Sequence, residues 1–382
     1  MPGPLKAYTR FIKRVKISKL KVIGDIEEMN KTVLTLLVFL LLFGCVATAP
    51  KKTETVVFYP SLPERPRLQF LYTITGEEDL GGGQSAFQDF LLGEPTSEKR
   101  LGKSYDIGSS NGKIFVLDRS HKKLIIIDLA ANEFDYIRDQ RLGELNDPSG
   151  IWITADEIKY IADMKRKQVV VFGRDNNFLR VYGDQELFDK PVDVAVYKDN
   201  VYVCDMAKNQ IFVLDKESGK VKTTLGQLGK QDGRFYKPTH VIVDQTGNIF
   251  VNDAFNYRVQ KFDATGRFVK SYGFPGINIG GFVRPKGLDI DQEGHLYVAD
   301  AAFENVQIFD EKTGQLLLFF GGAGMGPGDM YLPSGVHIDY ANTAYFKNFV
   351  DKDFRIKYVL YVGNMFGPRR LNVYGFGEWI GQ

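Results

Sequence analysis

Between Gly102 and Gln382 the chain restarts one pattern six times, and no other feature limits its possible folds so tightly. The clearest copy begins at Pro285 and reads PKGLDIDQEGHLYVADAAFENVQIFDEKTGQLLLFFG; its neighbour from Pro238 reads PTHVIVDQTGNIFVNDAFNYRVQKFDATGRFVKSYG. Copies start at Gly102, Pro148, Pro191, Pro238, Pro285 and Pro333, spaced 46, 43, 47, 47 and 48 residues apart. In the Pro285 copy four apolar runs, 287–290, 296–299, 306–309 and 316–320, alternate with turn-forming segments. The hairpin glycines supply the positive φ that a short loop needs. The runs are nearly continuous rather than alternating, the pattern of strands covered on both faces.

A repeat in the forties built from four short strands is the signature of a propeller blade. The expected fold is therefore all-β, a six-bladed β-propeller. The proline at each start suits extended entry into an innermost strand. The second strand of successive copies ends on Asp118, Asp163, Asp205, Asp253 and Asp300, with Asn364 in the sixth. A short acidic or amide side chain there can bond the backbone of the following turn, so these positions are read as structural.

The stretch Asp253, Asn256, Arg258, Val259 is the most family-like part of a pattern that resembles the NHL repeat from Gly102 to about Phe376. That resemblance implies a six-bladed propeller of the NHL/TolB-like kind. The first copy lacks the proline and the sixth is interrupted. The sixth offers three strands, 335–340, 358–362 and 371–376, and the chain then nearly ends. An isolated strand at Arg67–Ile74 is expected to supply the fourth and clasp the ring, which removes exposed edges.

Two segments depart from the repeat. The connection Thr75–Arg100 is longer than ordinary loops. Its apolar stretch 87–92 is expected to form a short helix over the mouth that bears the repeat starts. The insertion Ala341–Lys357 carries Tyr345, Phe346, Phe349 and Phe354 and emerges on the other face, where it is expected to cover its own blade's edge.

The front of the chain reads as an address. Met29-Asn30-Lys31, an apolar run at 33–43 and Gly44-Cys45 form a secretory signal. Leu42-Phe43-Gly44-Cys45 resembles a bacterial lipobox, which implies lipidation at Cys45. A transmembrane anchor would need about twenty apolar residues, and the run is about half that. The expected organisation is a mis-called start or extended n-region over 1–28, a lipoprotein signal over 29–44, a tether over 45–66 and the propeller over 67–382. Val46 in place of an aspartate favours the outer over the inner membrane of a bacterial envelope. Eight basic and three acidic residues precede Cys45, so the formal net of +2 becomes 41 against 44, or −3, once they are removed. A nucleic-acid partner loses its support from charge. Cys204 lies in a strand and reads as a buried small hydrophobe.

For chemistry the chain offers little that converges. There are four histidines: His121 and His240 on the repeat-start face, His337 mid-strand and His295 on the opposite face. Amidating lyases resemble NHL propellers and bind zinc through channel histidines, but zinc asks for three or four convergent ligands. Lactonase-like six-bladed enzymes hold calcium with channel carboxylates; here Asp106, Asp193 and Asp289 lie near strand entries, with Asp106 and Asp289 sharing one repeat position. His240, Asp193 and Asp289 are the weak metal candidates, and neither a cofactor nor a catalytic set is expected. The repeat-start face also gathers Arg119, Lys122, Lys165, Arg166, Lys167, Lys208, Tyr257, Arg258, Phe303, Arg369 and Arg370. Arg and Tyr are favoured at interfaces. The expectation is a monomeric, lipid-anchored, non-enzymatic propeller that binds envelope proteins through this face. A metal-dependent hydrolase or lyase sited in the channel is the alternative.

Overall fold

In a computed structural model of the chain, residues 56–80, 99–137 and 141–381 are described. Cys45, the signal and the stretch 87–92 lie outside them. Six antiparallel sheets follow one another, and in the first five the innermost strand is first in sequence. Blade 1 comprises Ser104–Ser110, Lys113–Asp118, Lys123–Asp128 and Glu133–Tyr136. Blade 2 comprises Pro148–Ile153, Lys159–Asp163, Gln168–Phe172 and Phe178–Tyr182. Blade 3 runs through Pro191–Tyr197, Asn200–Asp205, Gln210–Asp215 and Val221–Leu225. Blade 4 runs through His240–Val243, Ile249–Asp253, Arg258–Phe262 and Phe268–Tyr272. Blade 5 has Pro285–Ile290, His295–Asp300, Asn305–Asp310 and Leu316–Gly321. Blade 6 has Pro333–Asp339, Phe354–Asn364 and Leu371–Trp379 from the C-terminal region.

Its fourth strand is Leu68–Ile74, paired antiparallel with Leu371–Trp379 from Leu68 opposite Phe376 to Ile74 opposite Leu371. The expected clasp is therefore present. A fifth strand, Phe58–Tyr59, pairs outside it, with Tyr59 opposite Leu68. Phe58 packs edge-on against Trp379 at 5.3 Å, and the Tyr59 hydroxyl donates to Gly328 O at 3.2 Å. The packed unit begins at Val56, inside the stretch 45–66.

The core lies between blades. Residues such as Tyr160, Val171, Val194 and Val203 interleave from blades 2 and 3, and Tyr297, Ile308, Val336 and Leu360 from blades 5 and 6. Burial on both sheet faces explains the unbroken apolar runs. Cys204 is fully buried among them.

The strand-ending aspartates lock the loops. Asp205 accepts N–H groups from Asp189 and Lys190 in the connection that precedes its blade, and from Ala207 and Lys208 in its own turn. Asp163 and Asp300 repeat the arrangement with Asn146, Asp147, Lys165 and Arg166, and with Val283, Arg284, Ala302 and Phe303. The insertion behaves as expected in part: Phe346 and Phe354 are buried and Phe349 lies 4.4 Å from Tyr72, while Tyr345 is exposed. Asn342 ties it to blade 1 by accepting the Gly112 N–H at 2.7 Å.

Candidate functional site

The innermost strands surround a central cavity of about 90 Å3 lined by Asp106, Trp152, Asp193, His240, Asp289 and His337 among apolar neighbours. Strand register sorts these groups into two tiers. Asp106 pairs with Leu117, Asp193 with Cys204 and His240 with Asn252, each one residue before the strand-ending Asp118, Asp205 and Asp253. Asp289 pairs with Tyr297 and His337 with Tyr361, three residues before Asp300 and Asn364. Asp106 therefore shares its repeat position with Asp193 and not with Asp289. The first copy starts at Ser104, which pairs with Asp118 as Pro191 pairs with Asp205. A register shift just inside each of these strands, between Ser104 and Asp106 and between Pro191 and Asp193, bulges the strand and re-aims its third residue.

Each channel aspartate staples its blade to the next. Ile151 N donates to Asp106 Oδ2 at 2.8 Å, Val241 N to Asp193 Oδ2 at 2.7 Å and Ile338 N to Asp289 Oδ2 at 2.8 Å. The three pairs join blades 1 to 2, 3 to 4 and 5 to 6. Two histidines complete the tiers: His240 Nδ1 lies 3.2 Å from Asp193 Oδ2, and His337 Nδ1 lies 3.3 Å from Asp289 Oδ2 with Ser109 Oγ 3.0 Å from its Nε2. Close backbone approach keeps part of the upper tier free of side chains. A Cβ on Gly150 would sit 2.5 Å from Asp193 Cα.

Asp106, Asp193 and His240 each present one ligand atom within 4.8 Å of the others, the only such trio of metal-ligating types among the described residues. Asp289 stands apart from it with His337. Asp106 has both carboxylate oxygens bonded to backbone N–H groups, whereas Asp193 Oδ1 is buried without a partner. Burial pushes Asp106 and Asp193 up to about 7, against the opposing pull of the N–H donors and of the histidines. His337 is displaced upward: burial is the largest single influence and opposes its charge, but the hydrogen bond to Asp289 and the charges of Asp289, Asp339 and Asp106 together outweigh it.

A carboxyl whose folded-state pKa is raised to about 7 from an ordinary 3.8 binds its proton more tightly in the fold. Its contribution to stability is fully present below the ordinary value and is lost as pH rises through about 7. Asp193→Asn keeps an acceptor for Val241 N–H and removes the charge. It is expected to raise the unfolding midpoint at pH 8 by a few degrees and to flatten the decline between pH 5 and 8. Thermal denaturation across that range checks it; an unchanged pH slope contradicts it.

The basic residues expected to form a binding face are mostly occupied within the chain. Arg166 donates to Leu142 O and Glu144 O, Lys208 to Glu186 O and Leu187 O, and Arg258 to Asp253, Asp232 and Gln231 O. Arg119 pairs with Asp147 at 2.6 Å over the Tyr105 ring, and Lys167 lies 3.6 Å from Asp189. Arg369 meets Thr73 Oγ1 and Arg370 meets Met365 O. Lys122 and Lys165 are exposed. What this face displays instead is apolar. Leu228, Tyr236, Phe255, Tyr257, Phe274, Ile277, Ile279, Met325, Tyr331 and Phe366 are all exposed on its loops. The opposite face exposes fewer: Tyr340 and Tyr345 in the strand 1–2 connection of blade 6, and Ile380, whose N–H meets Asp353 O beside it. Apart from Tyr257, sequence reasoning missed these side chains; the signal was the apolar Ile-Asn-Ile tip and lone Met325 inside glycine-rich connections.

A family model described as a 6-bladed beta-propeller matches residues 183–286. The chain is a six-bladed β-propeller. Solved propellers of similar fold include an auxiliary nutrient binding protein from Bacteroides thetaiotaomicron, TM-score 0.56 and 14% identical over 82% of this chain and 78% of that one. A second auxiliary nutrient binding protein, from Bacteroides ovatus, has TM-score 0.56 and 11% identity over 80% and 76%. Among curated proteins, a probable peptidyl-alpha-hydroxyglycine alpha-amidating lyase of Caenorhabditis elegans is 29% identical over 116 residues, 29% of this chain and 33% of that protein. The Drosophila melanogaster protein brain tumor is 29% identical over 115 residues, 29% of this chain and 11% of its own length. The matched stretch thus covers a third or less of the length of these relatives. Among the described residues no helix is long and apolar enough to cross a membrane.

Proposed function

We propose that this propeller is a non-enzymatic binding protein of the bacterial envelope, held there by lipid on Cys45, which recruits a protein partner through its repeat-start face. The observation that carries the reading is the asymmetry of the two faces. Exposed apolar side chains of this size crowd the loops of one face, and contiguous exposed apolar surface marks interaction sites. Tyr236 and Phe255 meet edge to face at 5.6 Å, with Lys237 over the Phe255 ring at 5.0 Å, so part of the surface is already ordered. Solved propellers of the same fold that carry the description nutrient binding proteins support binding in place of turnover. In the channel, each of the three aspartates already gives its Oδ2 to a joint between blades.

A photo-crosslinking residue placed at Ile277, Tyr257 or Phe366 in the full chain is expected to trap one envelope protein in intact cells. The same residue at Tyr345 is expected to trap none. Equal yields from the two faces would defeat the proposal.

One observation favours a second reading. Asp193 Oδ1 is buried, unpartnered and part of the trio with Asp106 and His240, a donor set that suits a divalent cation. On that reading added Zn2+ or Ca2+ raises the unfolding midpoint of the parent chain and leaves that of Asp193→Asn unchanged.

A further inference from the structure

Four blades solve one problem in the same way, and the fifth does not. The connection entering a blade leaves carbonyl groups on the outer part of the repeat-start face. In blade 2 the Arg166 guanidinium takes Leu142 O and Glu144 O; in blade 3 Lys208 Nζ takes Glu186 O and Leu187 O. Blade 4 uses Arg258, which reaches Gln231 O at 2.8 Å and Arg234 O at 3.2 Å, with Asn256 on Gly229 O. Blade 6 uses Arg369 on Met325 O at 3.4 Å.

Blade 5 has Phe303 and Asn305 at the positions of Asn256 and Arg258. The carbonyls corresponding to those of Gly229 and Gln231 belong to Gly276 and Asn278, and no side chain donates to them among the described residues. A hollow of about 160 Å3 lies beside Asn305, the counterpart of Arg258, walled by Ile277, Ile279, Phe303 and Phe319. Two acceptors line it without partners: Asn305 Oδ1 and Gln307 Oε1. Gln307 is only 4% exposed, and its amide nitrogen is spent on Gly281 O at 2.9 Å. The equivalent Gln260 has no such vacancy, since its oxygen accepts Gly233 N–H at 2.9 Å.

We infer that blade 5 is a socket for an arginine side chain supplied by a protein partner. The chemistry selects that group. The two buried side-chain atoms left unpaired there, Asn305 Oδ1 and Gln307 Oε1, are both acceptors, and a guanidinium carries five N–H donors and no acceptor. Phe303 and Phe319 offer ring faces on which a guanidinium can stack, and the isoleucines can cover its methylene stem. Arg258 in blade 4 shows that this loop geometry receives a guanidinium through two carbonyls. The inference rests on the binding-face proposal only for the source of the arginine, because the socket itself can be tested with a free probe.

The probe is acetyl-arginine amide titrated into the full chain, followed through the side-chain amide resonances of Asn305 and Gln307. Saturable shifts are expected, at least tenfold weaker with acetyl-citrulline amide, which keeps the shape and loses the charge. Asn305→Arg restores the blade 4 residue in place; it is expected to raise the unfolding midpoint and to abolish the shifts. Absence of shifts in the parent chain overturns the socket, as does equal binding of acetyl-lysine amide or retention of the shifts in Asn305→Arg. If the probe binds but Ile277 traps no partner, the face proposal fails and the socket stands; trapping without probe binding is the reverse.

Discussion

Deleting Leu68–Ile74 is expected to abolish the cooperative unfolding transition of the whole propeller, not to fray one blade. The strand contributes Leu68, Leu71 and Ile74, all essentially inaccessible to solvent, to the cores on both sides of blade 6. Removing one buried leucine or isoleucine costs about 2–5 kcal/mol, so three together match or exceed the roughly 5–15 kcal/mol that a typical domain has in total. The loss spreads because Gln69 also holds the blade 6 insertion, donating to Phe349 O at 2.9 Å and accepting Asp351 N–H at 3.0 Å. Outside it, Phe58–Tyr59 would lose the strand on which it pairs. The conservative change Leu68→Ala should keep the transition and lower stability by about 2–4 kcal/mol. Chemical denaturation followed by circular dichroism distinguishes these cases. A deletion variant that melts with the midpoint of the parent would show that the ring closes without its clasp.

The clasp was legible because a lone strand-like segment stood where the sixth repeat ran short. The blades were legible for the same reason: local patterning repeated six times agrees with the global fold. Three things escaped, each for a physical reason. Phe58–Tyr59 is two residues long and sits among prolines, so its strand character comes from Trp379, Phe354 and Tyr374 and from no local preference. The alignment of Asp106 with Asp289 failed because the first copy has no proline to mark its start, and the bulge after Ser104 is a property of pairing. Charge counting saw a basic face, but sequence does not distinguish a lysine in water from one whose ammonium is spent on Leu187 O at 2.7 Å. The residues that face displays, Ile277 and Ile279 above all, sit in segments that sequence reads as mere connections.

Replacing Asp205 by alanine is expected to cost about 3–5 kcal/mol, the cost typical of breaking a buried hydrogen-bond network. The carboxylate is fully buried and accepts four backbone N–H groups at 2.7–3.1 Å, two on each side of the loop junction it holds. Each donor left without a partner costs about 1–3 kcal/mol, and rehydration of the outer ones reduces the sum. Asp205→Asn tests the cause more sharply, since volume is conserved while one acceptor becomes a donor aimed at N–H groups. The chain already contains that situation: Asn364 fills the same position in blade 6, its Oδ1 accepts Tyr331 N–H at 3.1 Å, and its Nδ2 is buried without a partner. Asparagine at 205 should therefore cost about 2–3 kcal/mol despite its matching shape. Asp189→Ala is the control, because that carboxylate is half exposed and meets only Lys167 at 3.6 Å; its cost should stay below about 0.5 kcal/mol. Urea denaturation of the three variants should rank alanine below asparagine and asparagine below the control. Equal stability of Asp205→Asn and the parent would mean that shape alone, and not the four donated hydrogen bonds, holds the loops between blades.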